Sequence, residues 1–377
     1  MIESIVEAEF GSSESLGASA AIAGSPWVVM KFGGTSVSTP ENWATIADLI
    51  RNRLDAGLQP VVVHSALKGV SDKLEQALRA AAAGKKSELL DEIRLQHYDL
   101  ASSLEVDGPG LLSDTLHELE QLVAGVRLVR EVSVRVRVRI MALGELMATR
   151  IGADYLQRSG LPVAWHDARD LLTTVSTSGG QRSQDYLAAK CEAVADPAMQ
   201  ARLADGAKVV LTQGFIARNE WGETVLLGRG GSDTSAAYFA ARLQARRLEV
   251  WTDVPGMFTA DPHVVPSARL LLALHYDEAQ ELASAGSSVL HPRCISPVRD
   301  SGIPLFIRST ANPDVPGTVV AAVTDEVEPQ VKGICLRNGL TLVSMDGVGM
   351  WHEGGFLARA VGVFSEHGVS VDHVSTS

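Results

Sequence analysis

The chain has 377 residues, with 33 Lys+Arg against 45 Asp+Glu, 46% hydrophobic and 5% aromatic residues. At roughly 150 residues per domain this length suggests two or three globular units with room for large cores. A net charge of −12 repels both a phosphate backbone and an anionic membrane surface, which makes nucleic acid and membrane poor partners and favours small molecules.

Residues 1–26 are rich in Ser, Ala, Gly and Glu without lasting periodicity and read as a flexible leader. Trp27–Phe32 has the pattern of a short buried strand and stops at Gly33-Gly34-Thr35-Ser36. Thr39 is a candidate N-cap with Pro40 at the first helical position, ahead of Ala44, Ile46, Ala47, Ile50 and Leu54 at helical spacing. A second buried strand, Pro60–His64, enters the Ser65–Ser71 loop and the helical run Asp72–Ala83. Strand, polar loop and helix repeat as they do in a parallel sheet covered by helices.

Ser87–Glu131 reads as one or two surface helices with Leu at helical spacing. Arg135, Arg137 and Arg139 alternate with Val134, Val136, Val138 and Ile140, which taken alone reads as a strand, although the sequence directly after it is strongly helix-forming. Further strands are expected at Pro162–Trp165, Lys208–Thr212, Thr224–Leu227, Leu248–Thr252 and Leu305–Ile307. A turn at Asn219–Gly222 would make a hairpin of two of these, giving a mixed sheet. After the turn cluster Asn312–Gly317 and the acidic Thr324–Glu328 linker, Val331–Arg337, Leu340–Ser344 and Val369–Ser375 read as strands and Phe356–His367 as a helix. This last fragment is too small to bury both its faces and looks cut short.

Cys191, Cys294 and Cys335 are far apart and form no CxxC pair, so neither a disulfide framework nor a structural metal site is expected. No apolar run approaches the roughly 20 residues of a membrane span, and Glu3, Glu7, Glu9 and Glu14 stand where a signal peptide needs basic residues. A cytoplasmic location fits best.

Four features carry chemistry. Lys31-Phe32-Gly33-Gly34-Thr35-Ser36 puts a cation at a strand end, followed by two residues without Cβ and two hydroxyls, a composition suited to cradling an anion. It is neither a Walker A loop nor a dinucleotide fingerprint, and a tight strand-to-helix turn with a surface Lys explains it equally well. Gly228-Arg229-Gly230-Gly231-Ser232-Asp233 presents an Arg fork between glycines, able to grip a carboxylate or phosphate, with Asp233 able to cap the helix that follows. Trp251–Pro262 joins a strand end to Pro-Gly turn chemistry, where ligands of α/β sheets collect, though an ordinary turn would suffice. Glu145 is a lone acid on a small, apolar helix surface, and most such residues are merely solvated.

In their order along the chain, Lys31–Val37, Gly144-Glu145, Gly228–Asp233, Trp251–Pro262 and Val289-Leu290-His291-Pro292 resemble the aspartate kinases of the amino acid kinase superfamily. The resemblance covers about residues 27–322, and the tail 331–377 resembles the first half of an ACT regulatory domain. It looks closest to the aspartokinase part of bifunctional aspartokinase/diaminopimelate decarboxylases.

The resemblance implies an α/β fold, a three-layer α/β/α sandwich with a mostly parallel sheet. Its residues 27–205 would mainly bind substrate and 206–322 mainly nucleotide, and a truncated α+β, ferredoxin-like ACT module would follow. It implies transfer of the γ-phosphoryl of ATP, with Mg2+ carried by the nucleotide, to the β-carboxylate of L-aspartate, the first step toward lysine, threonine, methionine and diaminopimelate. Lys31 would stabilise the transferring group, with the N–H groups of Gly33 and Gly34 on its oxygens. Arg229 would clamp the substrate α-carboxylate, Glu145 its ammonium, and Ser65, Ser71, Gly230, Gly231 and Ser232 would line the same site. Asp233 would orient it. Lys31, Phe32, Gly33, Gly34, Thr252, Asp253, Phe258, His263, Ser288 and Val289 would face the nucleotide.

Two positions depart from the family pattern: His263 stands where Arg is usual and Ser288 where Lys is usual. The departures raise weakened ATP binding, or a substitute cation such as Arg293 or Lys68. In the ACT portion, Met350, Gly355, Phe356, Leu357, Val371 and Asp372 match positions that contact the effector in lysine-sensitive relatives, and a lysine or threonine effector and a homo-oligomer are implied. The alternatives are a kinase for another carboxylate and a non-catalytic amino-acid-binding or regulatory subunit.

Overall fold

The computed structural model describes residues 16–175, 182–287, 289–322, 331–336, 339, 341–345, 355–367, 369, 371 and 374. They divide between two compact units, Met1–Leu336 and Arg337–Ser377. After a short helix α1 (Ala20–Ala23), β1 (Trp27–Phe32) is buried at every position, as a six-residue apolar run between two covered faces requires. α2 (Pro40–Asp55) begins as the sequence indicates, with the Thr39 hydroxyl accepting the Asn42 amide and Pro40 in the first turn. β2 (Gln59–His64) and α3 (Val70–Ala82) repeat the unit.

The leucine-rich stretch forms two helices, α4 (Leu89–Ser103) and α5 (Gly108–Val129). α6 (Val134–Arg158), β3 (Val163–Trp165), α7 (Ala168–Leu171), α8 (Arg182–Leu187) and α9 (Pro197–Ala204) follow. Next come β4 (Val209–Gln213), β5 (Ile216–Arg218), β6 (Thr224–Leu226), α10 (Gly231–Leu243) and β7 (Arg247–Thr252). β8 (Ala273–His275), α11 (Tyr276–Ala285), a 3-10 turn at Pro292–Cys294, α12 (Ile295–Asp300), β9 (Leu305–Ser309) and β10 (Thr318–Ala321) complete the first unit.

Among the described residues the main sheet has eight strands in the order β3-β4-β2-β1-β7-β9-β10-β8. All its pairings are parallel except β9 with β10. The alternation of side chains along β1 divides the core. Val28, Met30 and Phe32 pack with Trp43, Ile46 and Ile50 on the α2 side, whereas Trp27 and Val29 pack with Ala236, Phe239 and Val298 on the other. This is the three-layer α/β/α sandwich expected from the sequence. The chain leaves β1 for β2 on one side while β7 occupies the other, so the topological switch lies between β1 and β7, where α/β sheets open a ligand crevice at the carboxyl ends of their strands.

Three expectations are corrected. Arg135–Arg139 is helical, in the first turns of α6, where Ser133 caps the helix by accepting the Val136 amide. The arginines diverge to Glu223, Glu75 and Glu118, so alternation with valine reflects three separate partners and not a two-sided strand. The Asn219–Gly222 turn does make a hairpin, but it joins β5 to β6 in a separate two-stranded sheet. The mixed character of the main sheet comes from β9 and β10 instead. After β4 the chain turns through Gly214 and Phe215, the latter at φ 69°, which detaches the hairpin from β4.

The third correction concerns Val331–Leu336, which carries no ladder pairing among the described residues; Arg337, Leu340 and most of Val369–Ser375 lie outside them. Val331–Leu336 instead runs along α11: the Ile334 amide donates to the Thr259 carbonyl at 2.8 Å and Lys332 pairs with Glu278 at 2.8 Å. A strand needs a neighbouring strand to satisfy its backbone, and here a loop carbonyl takes that role. In the second unit, α13 (Phe356–Glu366) starts after Gly355, at φ 81°, and none of its residues is buried.

Candidate active site

The crevice at the β1/β7 switch is built from four chain segments. Side-chain alternation puts Lys31, at the end of β1, on the α10 face of the sheet. There its ammonium lies 2.6 Å from a carboxylate oxygen of Asp233 in the first turn of α10, and both side chains are nearly buried. The β1 strand then opens into Gly33-Gly34. The Gly33 amide donates to the Trp251 carbonyl at the end of β7 (3.2 Å), so this N–H closes the loop against the next strand and is not offered to a phosphate. A Cβ on Gly34 would stand 2.8 Å from the Ala66 carbonyl oxygen, so only glycine lets the β1 loop and the Ser65–Gly69 loop approach so closely.

Ser38 ties the same two loops, donating to the Gly34 carbonyl (2.6 Å) and accepting the Lys68 amide (2.9 Å). Gln96 on α4 holds the Lys68 carbonyl from outside at 2.9 Å. Ser36, buried behind the cradle, shares a 2.7 Å hydrogen bond with Thr310 beyond β9.

On the opposite wall, Ser65 donates to the Ser232 hydroxyl at 2.9 Å. α10 begins after Gly230, at φ 64°, and its first-turn amides face the crevice mouth shared with Lys31 and Asp233. Arg229 is exposed on the turn. His291 lies within reach of the charges of Asp233, Arg293 and Arg229, and its partial burial lowers its pKa.

Glu145 rises from the middle of α6 and is 3% exposed. Burial raises its pKa well above the usual carboxylate value, opposed by a hydrogen bond from the Ala66 amide and by the Lys31 charge. Its Oε2 is buried with no hydrogen-bond partner. The site therefore holds a cation already paired, beside a carboxyl group with one oxygen unmet.

The structure brings together Lys31, Phe32, Gly33, Gly34, Ser65, Glu145, Gly230, Gly231, Ser232 and Asp233. Ser71 lies one residue into α3, and among the described residues no hydrogen bond joins it to this group. Thr252 ends β7, where its carbonyl accepts the Thr310 amide and its hydroxyl donates to Asp253. Phe258 pairs through its backbone with Leu270, and His263 is exposed on the turn after Asp261. Val289 packs against the α10 core, and Ser288, Met350 and Asp372 lie outside the described residues.

Arg293, offered by the sequence as a substitute phosphate cation, has its guanidinium on the Leu227 and Ala189 carbonyls at 2.6 and 3.2 Å. The sequence offers the Ser36 hydroxyl to an anion, whereas it is buried against Thr310, and neither Thr310 nor Gln96 stands out in the sequence. A buried hydroxyl carries no sequence signal distinguishing it from any other core-edge Ser or Thr. Among the described residues no three His, Cys, Asp or Glu side chains converge as a metal site, and no helix is long and apolar enough to cross a membrane.

A three-layer sandwich with a glycine loop and a buried lysine at its switch point suits a small-molecule phosphotransferase, and the comparisons with known proteins agree. The model of the amino acid kinase family matches residues 26–309, and the chain belongs to that family. Within it the chain sits among the aspartokinases. It is 34% identical over 355 residues to lysine-sensitive aspartokinase 3 of Escherichia coli, covering 93% of this chain and 76% of that one. It is also 34% identical to the chloroplastic aspartokinase 1 of Arabidopsis thaliana, with 93% of this chain covered but only 61% of the plant protein. The crystal structure of E. coli aspartokinase III in complex with aspartate and ADP superposes with a TM-score of 0.75 at 31% identity, over 93% of this chain and 76% of that one.

Proposed function

We propose that the chain is an aspartate kinase, which transfers the γ-phosphoryl group of MgATP to the β-carboxylate of L-aspartate and yields 4-phospho-L-aspartate and ADP. The observation that carries this reading is Glu145, a buried carboxyl group with an unmet acceptor beside the Lys31–Asp233 pair. An amino-acid ammonium supplies the missing donors, and its charge draws Glu145 into the ionised form. Arg229, exposed on its glycine turn, grips the α-carboxylate with its planar fork. Ser65 and Ser232 give the hydroxyls that fix the substrate between these two charges.

The chemistry follows from this inventory. A β-carboxylate oxygen attacks the γ-phosphorus, the bond to the β,γ-bridging oxygen breaks, and ADP leaves with that electron pair. The attacking carboxylate is already ionised at neutral pH, so no general base is needed, and catalysis reduces to alignment and neutralisation of charge. Lys31 moves its charge from Asp233 toward the oxygens of the transferring group, and the loop at Gly34 lets them approach the backbone. Asp233 holds Lys31 in place until then. The divalent ion enters with the nucleotide as part of the substrate. Thr252, Asp253, Phe258, His263 and Val289, on and after β7, form the nucleotide side.

In the same reading the second unit is a partial ACT module that binds lysine or threonine through Gly355, Phe356, Leu357 and Val371, together with Met350 and Asp372. A lysine-sensitive relative favours lysine. The protein works as a homo-oligomer in the cytoplasm.

The test is to trap the acyl phosphate. Purified protein with MgATP, L-aspartate and hydroxylamine should form the hydroxamate, whereas glutamate or omission of protein should give none. Folded protein that forms no aspartate-dependent hydroxamate would overturn the proposal.

A further inference from the structure

The turn that carries Arg229 is an odd foundation for a specific clamp. Gly228 sits at φ 77° and Gly230 at φ 64°, so Arg229 is flanked on both sides by residues that can leave the left-handed region at little cost. Left alone, such a turn samples many orientations of its side chain, and binding would lose affinity to the ordering of Arg229. Something must hold it.

The restraint comes from the segment His291–Cys294, about sixty residues away in sequence. Arg293 places one guanidinium nitrogen on the Leu227 carbonyl at 2.6 Å and another on the Ala189 carbonyl at 3.2 Å. The first of these is the peptide that enters Gly228. A Cβ built on Gly228 would lie 2.9 Å from that same nitrogen, so the guanidinium fills the space where a side chain would stand. His291 does the same at the next glycine: a Cβ on Gly230 would fall 2.2 Å from the imidazole Cγ.

Both groups are themselves fixed. The His291 Nδ1 accepts the Arg293 amide, and the His291 carbonyl accepts from the Cys294 amide and thiol at 3.1 and 3.0 Å. Pro292 stands between them at the start of the 3-10 turn.

We propose that His291 and Arg293 are positioning residues that mould the Gly228–Gly231 backbone into the one conformation that presents Arg229 and the first turn of α10, with Asp233, to the substrate. The role of Arg229 rests on the aspartate kinase reading; the mould itself does not. Arg293 suits the task because a planar fork can bridge two carbonyls at once, which a lysine ammonium on its flexible stem cannot do with the same geometry. Neither residue meets the reacting atoms, so the loss of either is felt through Arg229.

Two variants test this, Arg293→Lys, which keeps the charge and loses the fork, and His291→Asn, which keeps a capping acceptor and loses the ring. Each should raise the KM for L-aspartate about ten-fold, Arg293→Lys by the loss of a charged hydrogen bond and His291→Asn by freeing the Gly230 backbone, and change the KM for MgATP less than about two-fold. Amide hydrogen exchange of Leu227–Ser232 should accelerate in both variants while β1 and β2 exchange as in the parent protein.

Equal rises in both KM values with faster exchange throughout the sheet would mean a general structural role and overturn the proposal. Unchanged KM and unchanged exchange would do so as well. If the parent protein makes no aspartyl phosphate, the proposed activity fails while exchange at Leu227–Ser232 still decides the mould. If Arg293→Lys does not fold, His291→Asn carries the decision.

Discussion

Glu145 and Glu249 are both buried glutamates of the same kinase unit, and they have opposite surroundings. Glu249, on β7, receives Arg53 through two contacts of 2.8 and 3.2 Å, Arg247 at 2.7 Å and the Trp251 indole N–H at 3.1 Å. Burial opposes its ionisation, but the two arginines prevail and bring its pKa down to about 2. Glu145 has one backbone donor and a more distant lysine, and its pKa moves up. The contrast separates a carboxylate whose partners belong to the fold from a carboxyl group with one oxygen unmet. In the proposed reading, the unmet oxygen in the middle of α6, beside the Gly33-Gly34 loop, receives the substrate ammonium.

Removing each carboxylate sharpens that contrast. Glu249→Ala removes the carboxylate that Arg53 and Arg247 both grip in the interior and should cost about 3–5 kcal/mol of stability, measured by urea unfolding. Glu145→Gln should leave the unfolding midpoint unchanged or raise it, because it deletes an under-partnered acid. A loss of stability from Glu145→Gln comparable to that from Glu249→Ala would erase the distinction.

Lys31→Met should lower kcat by about 10²–10³ in a steady-state assay, as removal of a charge aimed at the transferring group does, with the fold retained by circular dichroism. A kcat within a factor of two of the parent would remove Lys31 from the mechanism.

The two acids also differ in the sign of their pH dependence. The unfolded chain binds a proton at Glu249 before the folded chain does, so the stability from Glu249 is full above about 4.5 and is lost as pH falls toward 2. At Glu145 the folded chain holds the extra proton, so stability declines as pH rises from 4.5 through the raised folded value. His64 and His97, buried with pKa values of about 4, give stability that is full above 6.5 and lost as pH falls toward 4. Urea midpoints across pH 4–8 should therefore climb less steeply in the parent protein than in Glu145→Gln. Identical profiles would show that Glu145 does not titrate as its burial requires.

Much of this site was legible in sequence because its makers are local signals. Lys31 at a strand end, paired glycines, and an Arg between glycines need no tertiary knowledge to stand out. The strands β1, β2 and β7 were equally plain, since a central parallel strand must be apolar throughout.

What failed was local pattern under tertiary control. The Arg135–Arg139 alternation matches a strand until Glu75, Glu118 and Glu223 are seen converging on it from three elements. The sequence pairs the hairpin with β4 because nothing in it shows Phe215 turning to positive φ. The family resemblance points the Gly33 amide at phosphate, but its donor is spent on Trp251 across the switch point. His291 lay in a recognised motif without a role, since its fit against Gly230 exists only once sixty intervening residues have folded.

The most direct measurement is a calorimetric titration of L-aspartate into the parent protein and into Glu145→Gln, with a non-hydrolysable ATP analogue present. The parent should bind, and the variant should lose affinity by at least about ten-fold, the worth of a charged hydrogen bond at a buried site. Equal affinities in the two proteins would show that the unmet oxygen of Glu145 does not receive the substrate ammonium.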